Sequence, residues 1–470
     1  MRTFKMYIVC LLLAFADVVA SGQCSDEVFL RRACLTVTGA LPTPAECARF
    51  LDSDKPDKRE ALIDNLLRSE LGIRYMQMRW GDILRIKSEF PSNLWPNGVQ
   101  AYNRWVYEHL LRNTPYDVMV RELLLSQGSN FRSPAVNFYR GFQKRTPENF
   151  YKNINLLFLG NRACKDEGHL CFSQIRFKST KEWKEEIIYL DIHDDAPLGE
   201  FILSDGTAFE LKDDTDWRVP YVSWLTSSKN RRFAEVLVNR MWYWVFGKGI
   251  VHEPDDWRAD NAPSDPQLLK QLTDYFVNSG FDMRCLMKKI LMSEQFGSEM
   301  APDGFYVPQR LPAEVIVDAL ASVTGMWNTY SSRVPEPFTF YPPRTRSVHL
   351  GDATVSSTEL ELFGKVSRDV SLESQRNNSI TARQLLYLMN SSELEQRIRK
   401  SPVLRKICES NTDVPQLADA ITLLILSRRA TPEEKDMYRS YMQQNNLSLN
   451  ELAYDMMWIQ INSNEFLYNH

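Results

Sequence analysis

The chain has 470 residues and eight cysteines, and no two of the cysteines form a CxxC. That absence excludes a zinc ribbon and a thioredoxin-type dithiol. No GxSxG is present to mark a hydrolase elbow, and no GxxxxGK[ST] to cradle a nucleotide phosphate. Gly247-Lys248-Gly249 reads as a helix stop instead. Histidine is scarce, at six residues, and none is spaced from other ligands as a metal site requires, so no metal and no cofactor is expected. His109 sits on an apolar helix and reads as a packed core residue; His193-Asp194-Asp195 reads as a solvated turn. There is no excess of basic charge: 56 Lys and Arg stand against 60 Asp and Glu, for a formal charge of −4. A nucleic-acid partner, which needs a basic face, is therefore not expected. Beyond residue 22 no apolar run is long enough to span a bilayer, so the mature chain is expected to lack a transmembrane segment.

What is present begins with an export signal. Arg2 and Lys5 precede the apolar run Met6 to Phe15, Asp17 interrupts it, and Val18-Val19-Ala20 offers small residues for cleavage. The mature chain is expected to start at Ser21 or Gln23. Removing Cys10 with the signal leaves seven cysteines, an odd number. In an oxidising compartment some should pair, and Cys164 with Cys171 and Cys34 with Cys47 are the close candidates.

The remaining pattern is mainly α. Ser25 caps a helix that Gly39 ends, and Thr43-Pro44-Ala45-Glu46 and Thr431-Pro432-Glu433-Glu434 are capping boxes. Helical periodicity then recurs to residue 162. Residues 172–222 change to β-rich runs, with a hairpin turning at Asp205-Gly206. Helices return afterwards, one of them expected over 380–398. The expected organisation is a signal at 1–22, a helical domain at 23–171, a small antiparallel β insert at 172–222 and a second helical domain at 223–470. Residues 326–356 break the second domain with prolines and aromatics, including Phe340, Tyr341 and Arg344. A loop of that length is a candidate for binding or a strap over the core.

The chain is organised around residues 231–269. Phe233, Val236, Leu237, Met241, Trp244 and Val245 draw one apolar helix face. Asn239 and Arg240 interrupt it, and buried polar groups need partners. The turn that follows supplies Asp255, Asp256, Arg258 and Asn261, so a helix-turn-helix corner tied by a polar network is expected.

The order of several motifs resembles a known family. They include Phe29-Leu30-Arg31-Arg32, Arg79-Trp80-Gly81-Asp82, Asn239-Arg240-Met241-Trp242, Asp255-Asp256-Trp257-Arg258, Arg310-Leu311-Pro312-Ala313-Glu314 and the closing Asn462 to His470. These are similar to the planctomycete cytochrome-c-like domain followed by the planctomycete-specific domain, a tandem found in secreted bacterial proteins. The resemblance covers nearly the whole mature chain. It implies a CxxCH for covalent haem, but Cys164-Lys165-Asp166-Glu167-Gly168-His169 stands there, with Glu167 in place of the second cysteine. It also implies a Cys-Glu-Cys-Glu-Arg run, but Leu372-Glu373-Ser374-Gln375-Arg376 keeps only the first Glu and the Arg.

Signal and resemblance together imply an exported protein of the periplasm or cell surface of a Gram-negative bacterium. Three functions are weighed. The first is a non-catalytic binding or scaffold protein for an envelope glycan or a secreted partner protein. The second is a polysaccharide hydrolase using Asp255 or Asp256. The third is a redox protein, which the substituted cysteines oppose.

Overall fold

Side chains that accept the first free N–H groups set the helix starts. Ser25 accepts from Val28 N to open α1 (Asp26–Thr38), which Gly39 ends at a φ of 58°. Reciprocal Thr43–Glu46 bonds open α2 (Pro44–Leu51). Then follow α3 (Lys58–Arg68), α4 (Glu70–Ile83), α5 (Trp95–Arg112), α6 (Tyr116–Leu125) and α7 (Pro147–Leu159). The protein is mainly α in this computed structural model, which describes residues 22–162, 166–192, 199–203, 205–299, 306–332, 334 and 340–470. The expected turn at His193-Asp194-Asp195 lies outside those residues.

The β-rich segment forms β2 (Ile175–Ser179) and β3 (Glu186–Leu190), paired antiparallel with Phe177 opposite Ile188. A strand the sequence did not announce, β1 (Gly128–Ser129), joins the free edge of β3. Two residues are too short to show the alternation by which a strand is read. The hairpin of β4 (Gly199–Ile202) and β5 (Ala208–Leu211) forms with Phe201 opposite Phe209.

Helices resume with α8 (Arg218–Leu225), α9 (Arg231–Phe246), α10 (Pro266–Asn278), α11 (Met283–Leu291) and α12 (Ala313–Thr324). The last group is α13 (Ala382–Asn390), α14 (Ser392–Arg399), α15 (Pro402–Ser410), α16 (Val414–Leu426), α17 (Pro432–Asn445) and α18 (Leu449–Ile461). The single helix expected over 380–398 is two, α13 and α14. Ser391 ends the first and caps the second by accepting from Leu394 N, a competition for backbone groups that serine often wins. Two-residue strands β6 (Gln309–Arg310) and β7 (Tyr468–Asn469) fasten the end of the chain beside α12.

Two apolar cores share α4. Ile73, Trp80 and Ile83 enter a core that gathers α1 to α11, with Tyr116 and Phe233 stacked at 4.5 Å between ring centroids. Tyr75 and Met78 face a second core with Leu320, Ile421 and Met456. Each fully buried side chain of this size contributes about 1.5–3 kcal/mol, so α4 is held from both sides. Among the described residues no helix is long and apolar enough to cross a membrane.

Candidate functional site

The corner of α9 is closed to water. Asn239 and Arg240 are 0% and 1% exposed, and Asp255 is 2% exposed. Asn239 brackets Val251: its Nδ2 donates to the Val251 carbonyl and its Oδ1 accepts from the Val251 N–H, both at 2.9 Å. Gly249 leaves room for this, since a Cβ there would lie 2.3 Å from the Val251 carbonyl oxygen. Arg240 donates to the Leu157 carbonyl of α7 at 3.1 Å and to Asp255 Oδ1 at 3.2 Å. Asp256 and Asn261, the other acceptors offered by the turn, do not reach Arg240. Asp256 is half-buried and accepts from exposed Arg258 at 2.8 Å, while Asn261 donates to the Asp256 carbonyl at 2.6 Å.

The third partner of the corner comes from far along the chain. Glu373 lies with Oε1 3.5 Å from Arg240 Nε, accepts from Trp244 Nε1 at 2.9 Å, and gives its own N–H to Asp255 Oδ2 at 2.6 Å. Both Asp255 oxygens are thus occupied, one by Arg240 and one by Glu373, which leaves that carboxylate no face for a substrate. Burial pushes the Glu373 carboxyl up, and neighbouring Asp255 adds to this against Arg240 and Arg79, so it titrates at about 7. An acid whose folded pKa is raised binds its proton more tightly folded than unfolded. Its contribution to stability is full below the unfolded value near 4.5 and is lost as pH rises through about 7. Glu373→Gln should therefore flatten the fall in unfolding free energy between pH 4.5 and 7, read from denaturant melts across that range. A slope unchanged by the substitution would show that Glu373 does not titrate there.

A second buried cluster lies three residues on. Arg376 pairs with Asp82 at 2.7 Å and with Glu314 at 2.8 Å, and Arg368 pairs with Asp82 at 2.9 Å. The other motif arginines are clamps as well. Arg31 donates to the carbonyls of Ile425, Glu465 and Phe466, and Arg32 to those of Phe296, Ser298 and His470. Arg310 holds the carbonyls of Phe363, Asn377 and Asn378. Each of these motif arginines fastens backbone from a distant segment.

In the long loop, Phe340 is 79% exposed, Arg344 is exposed, and Tyr341 packs against the second core. Its next stretch is tied down by Asp318 of α12, which accepts from Ser347 N at 2.6 Å and Val348 N at 3.3 Å. This part is a strap. His109 is buried, with its ring 4.4 Å from that of Trp105.

The expected Cys34–Cys47 disulfide is absent: both are buried free thiols. Burial pushes both thiols up, Cys47 to about 12. Cys171 is also a buried free thiol, and its expected partner Cys164 lies outside the described residues.

A feature the sequence reading missed lies on the surface. The rings of Trp95 and Trp183 meet edge-on at 6.1 Å, and Trp183 is 66% exposed. Lys184 Nζ lies 3.8 Å from the centre of the Trp95 ring. The only signal available was Trp183-Lys184 in the turn between two strands, and its partner is 88 positions earlier.

The described residues hold no group of three or more His, Cys, Asp or Glu placed to bind a metal ion. A covalent haem does not fit the residues present. Glu167 cannot form a thioether, and a Cβ on Gly168 would lie 2.4 Å from the Tyr151 ring, so that ring fills the space beside the motif. His169 lies 3.9 Å from Glu148.

The family PSCyt2, described as a protein of unknown function (DUF1549), matches residues 9–162. The family PSD1, described as a protein of unknown function (DUF1553), matches residues 217–442. The chain matches no curated protein and no solved structure. The buried clamps explain why the two matches belong together: Asp82 in the first is ion-paired to Arg368 and Arg376 in the second. The chain belongs to the family that pairs the planctomycete cytochrome-c-like domain with the planctomycete-specific domain, both of unknown function.

Proposed function

We propose that this protein is an exported, non-catalytic scaffold of the Gram-negative envelope that holds a glycan on its Trp95–Trp183 face. One observation carries the reading. The motif carboxylates best suited to chemistry, Asp255, Asp82 and Glu314, are buried and engaged by arginines, while Trp183 is presented to solvent beside half-buried Trp95. The exposed Trp183 ring is a stacking surface for the apolar side of a sugar ring, and Lys184, seated over Trp95 beside it, supplies a donor for hydroxyl or carboxylate groups. The export signal read at residues 1–22 supports the compartment.

The test is sedimentation of the purified mature protein with insoluble envelope polysaccharide. Wild type should pellet with the polysaccharide, and Trp95→Ala with Trp183→Ala should weaken binding by about tenfold, the size of one good aromatic contact. Equal binding by the double variant would remove the platform from the proposal. Release of soluble sugar would support the hydrolase reading instead. Mass spectrometry of the envelope fraction should find the chain starting at Ser21 or Gln23, and an intact Met1 there would end the export reading.

A further inference from the structure

A cavity of about 60 Å³ lies between α1, α4, α9 and α11, apart from the tryptophan face. By the volume a water needs, it has room for on the order of five water-sized groups. Ile73, Val245, Met283 and Met287 make its walls apolar. Methionine walls adapt to the shape of what they hold. Half-buried Asn113 and Arg284 also line it.

Buried Tyr75, Arg79 and Trp244 line it as well. Arg79 is 9% exposed. Its Nη2 donates to the Tyr75 hydroxyl at 3.1 Å, and its Nε is buried with no acceptor. Among the described residues no carboxylate pairs with this guanidinium; Glu373, the acid that feels its charge, is already engaged by Arg240 and Trp244. The other motif arginines of the core each find carboxylates or several carbonyls. A buried cation left unopposed at an apolar cavity is costly unless something completes it.

We infer that this cavity is a binding site for a short-chain aliphatic carboxylate, with the carboxylate on Arg79 and the Tyr75 hydroxyl and the chain among Val245, Met283 and Met287. Guanidinium and carboxylate are planar and match in a two-bond pair. The Tyr75 hydroxyl accepts from Arg79 and retains its own proton to donate. A tail of a few carbons fits the volume, whereas a long acyl chain does not. This site is independent of glycan binding.

The experiment titrates the full mature protein with butanoate, butanamide and butylamine by calorimetry at pH 7. Saturable butanoate binding is expected, with butanamide at least tenfold weaker and butylamine not bound. Arg79→Met should abolish butanoate binding while Arg79→Lys keeps part of it. Methyl NMR of wild-type protein carrying labelled methionine methyl groups should show the Met283 or Met287 signal shift on adding butanoate, which locates the site even when Arg79→Met does not fold. Equal affinity for acid and amide, absence of saturable binding, or shifts confined to other methionines would each overturn the inference.

Discussion

Arg240→Ala is expected to cost about 3–5 kcal/mol of folding stability, because it strands two acids in the core. Arg240 is 1% exposed, and its guanidinium is the cation between Asp255 and Glu373. Removing it leaves buried Asp255 beside Glu373 without the cation that lies between them. It also orphans the Leu157 carbonyl that Arg240 caps from α9. The control is Arg344→Ala in the long loop, where an exposed side chain should cost under about 0.5 kcal/mol. Denaturant unfolding of the two variants checks the contrast. If Arg240→Ala kept wild-type stability and lost binding to an envelope component, the corner would be a functional surface rather than a sealed joint.

Arg376→Met is expected to be similarly damaging, for a reason that a second substitution can expose. Arg376 is the cation shared by Asp82 and Glu314, and Arg368 remains for Asp82 alone. Glu314, 2% exposed, is left as a buried carboxylate with its ion pair gone. The single variant should lose about 3–5 kcal/mol. Adding Glu314→Gln should recover part of that loss, since it removes the stranded charge. A double variant less stable than either single one would mean that packing, not charge, sets the cost.

The same pair fixes an acid limit. Burial alone raises the Glu314 carboxyl, but Arg376 outweighs it and holds the group at about 2. An acid with a depressed folded pKa stabilises the fold above its unfolded value near 4.5. That contribution, on the order of 3 kcal/mol, is lost as pH falls through about 2. Glu373 acts in the opposite direction between 4.5 and 7. Acid unfolding of wild type should therefore steepen below pH 4.5, and Glu314→Gln should remove that steepening.

Local chemistry was legible in the chain. Ser25, Thr43 and Thr431 accept backbone N–H groups at the helix starts where they stand, and Gly39 and Gly247 end helices in the left-handed conformation. These bonds close within four residues, so sequence spacing is enough to find them. The apolar stripe of α9 was legible from its helical spacing, and the turn after it offered Asp255 to Arg240 as one acceptor beside Asp256 and Asn261, without a choice among them.

What sequence determined about this protein is therefore its class, its capped helix starts, its family and the candidates for the near half of its polar corner. Only the tertiary structure decided the rest. Glu373 is 118 positions from the Asp255 it binds, and Arg376 is 294 from Asp82. At such separations every carboxylate in the chain is a possible partner for every arginine, and spacing carries no preference among them. Burial makes the choice: an ion sealed from water must meet its counter-ion or cost several kcal/mol. The fold brings Glu373 and Arg376, kept where the motif's cysteines are not, under α9 and α4. Arg376 ties the two halves together through Asp82, while Glu373 closes the corner within the second.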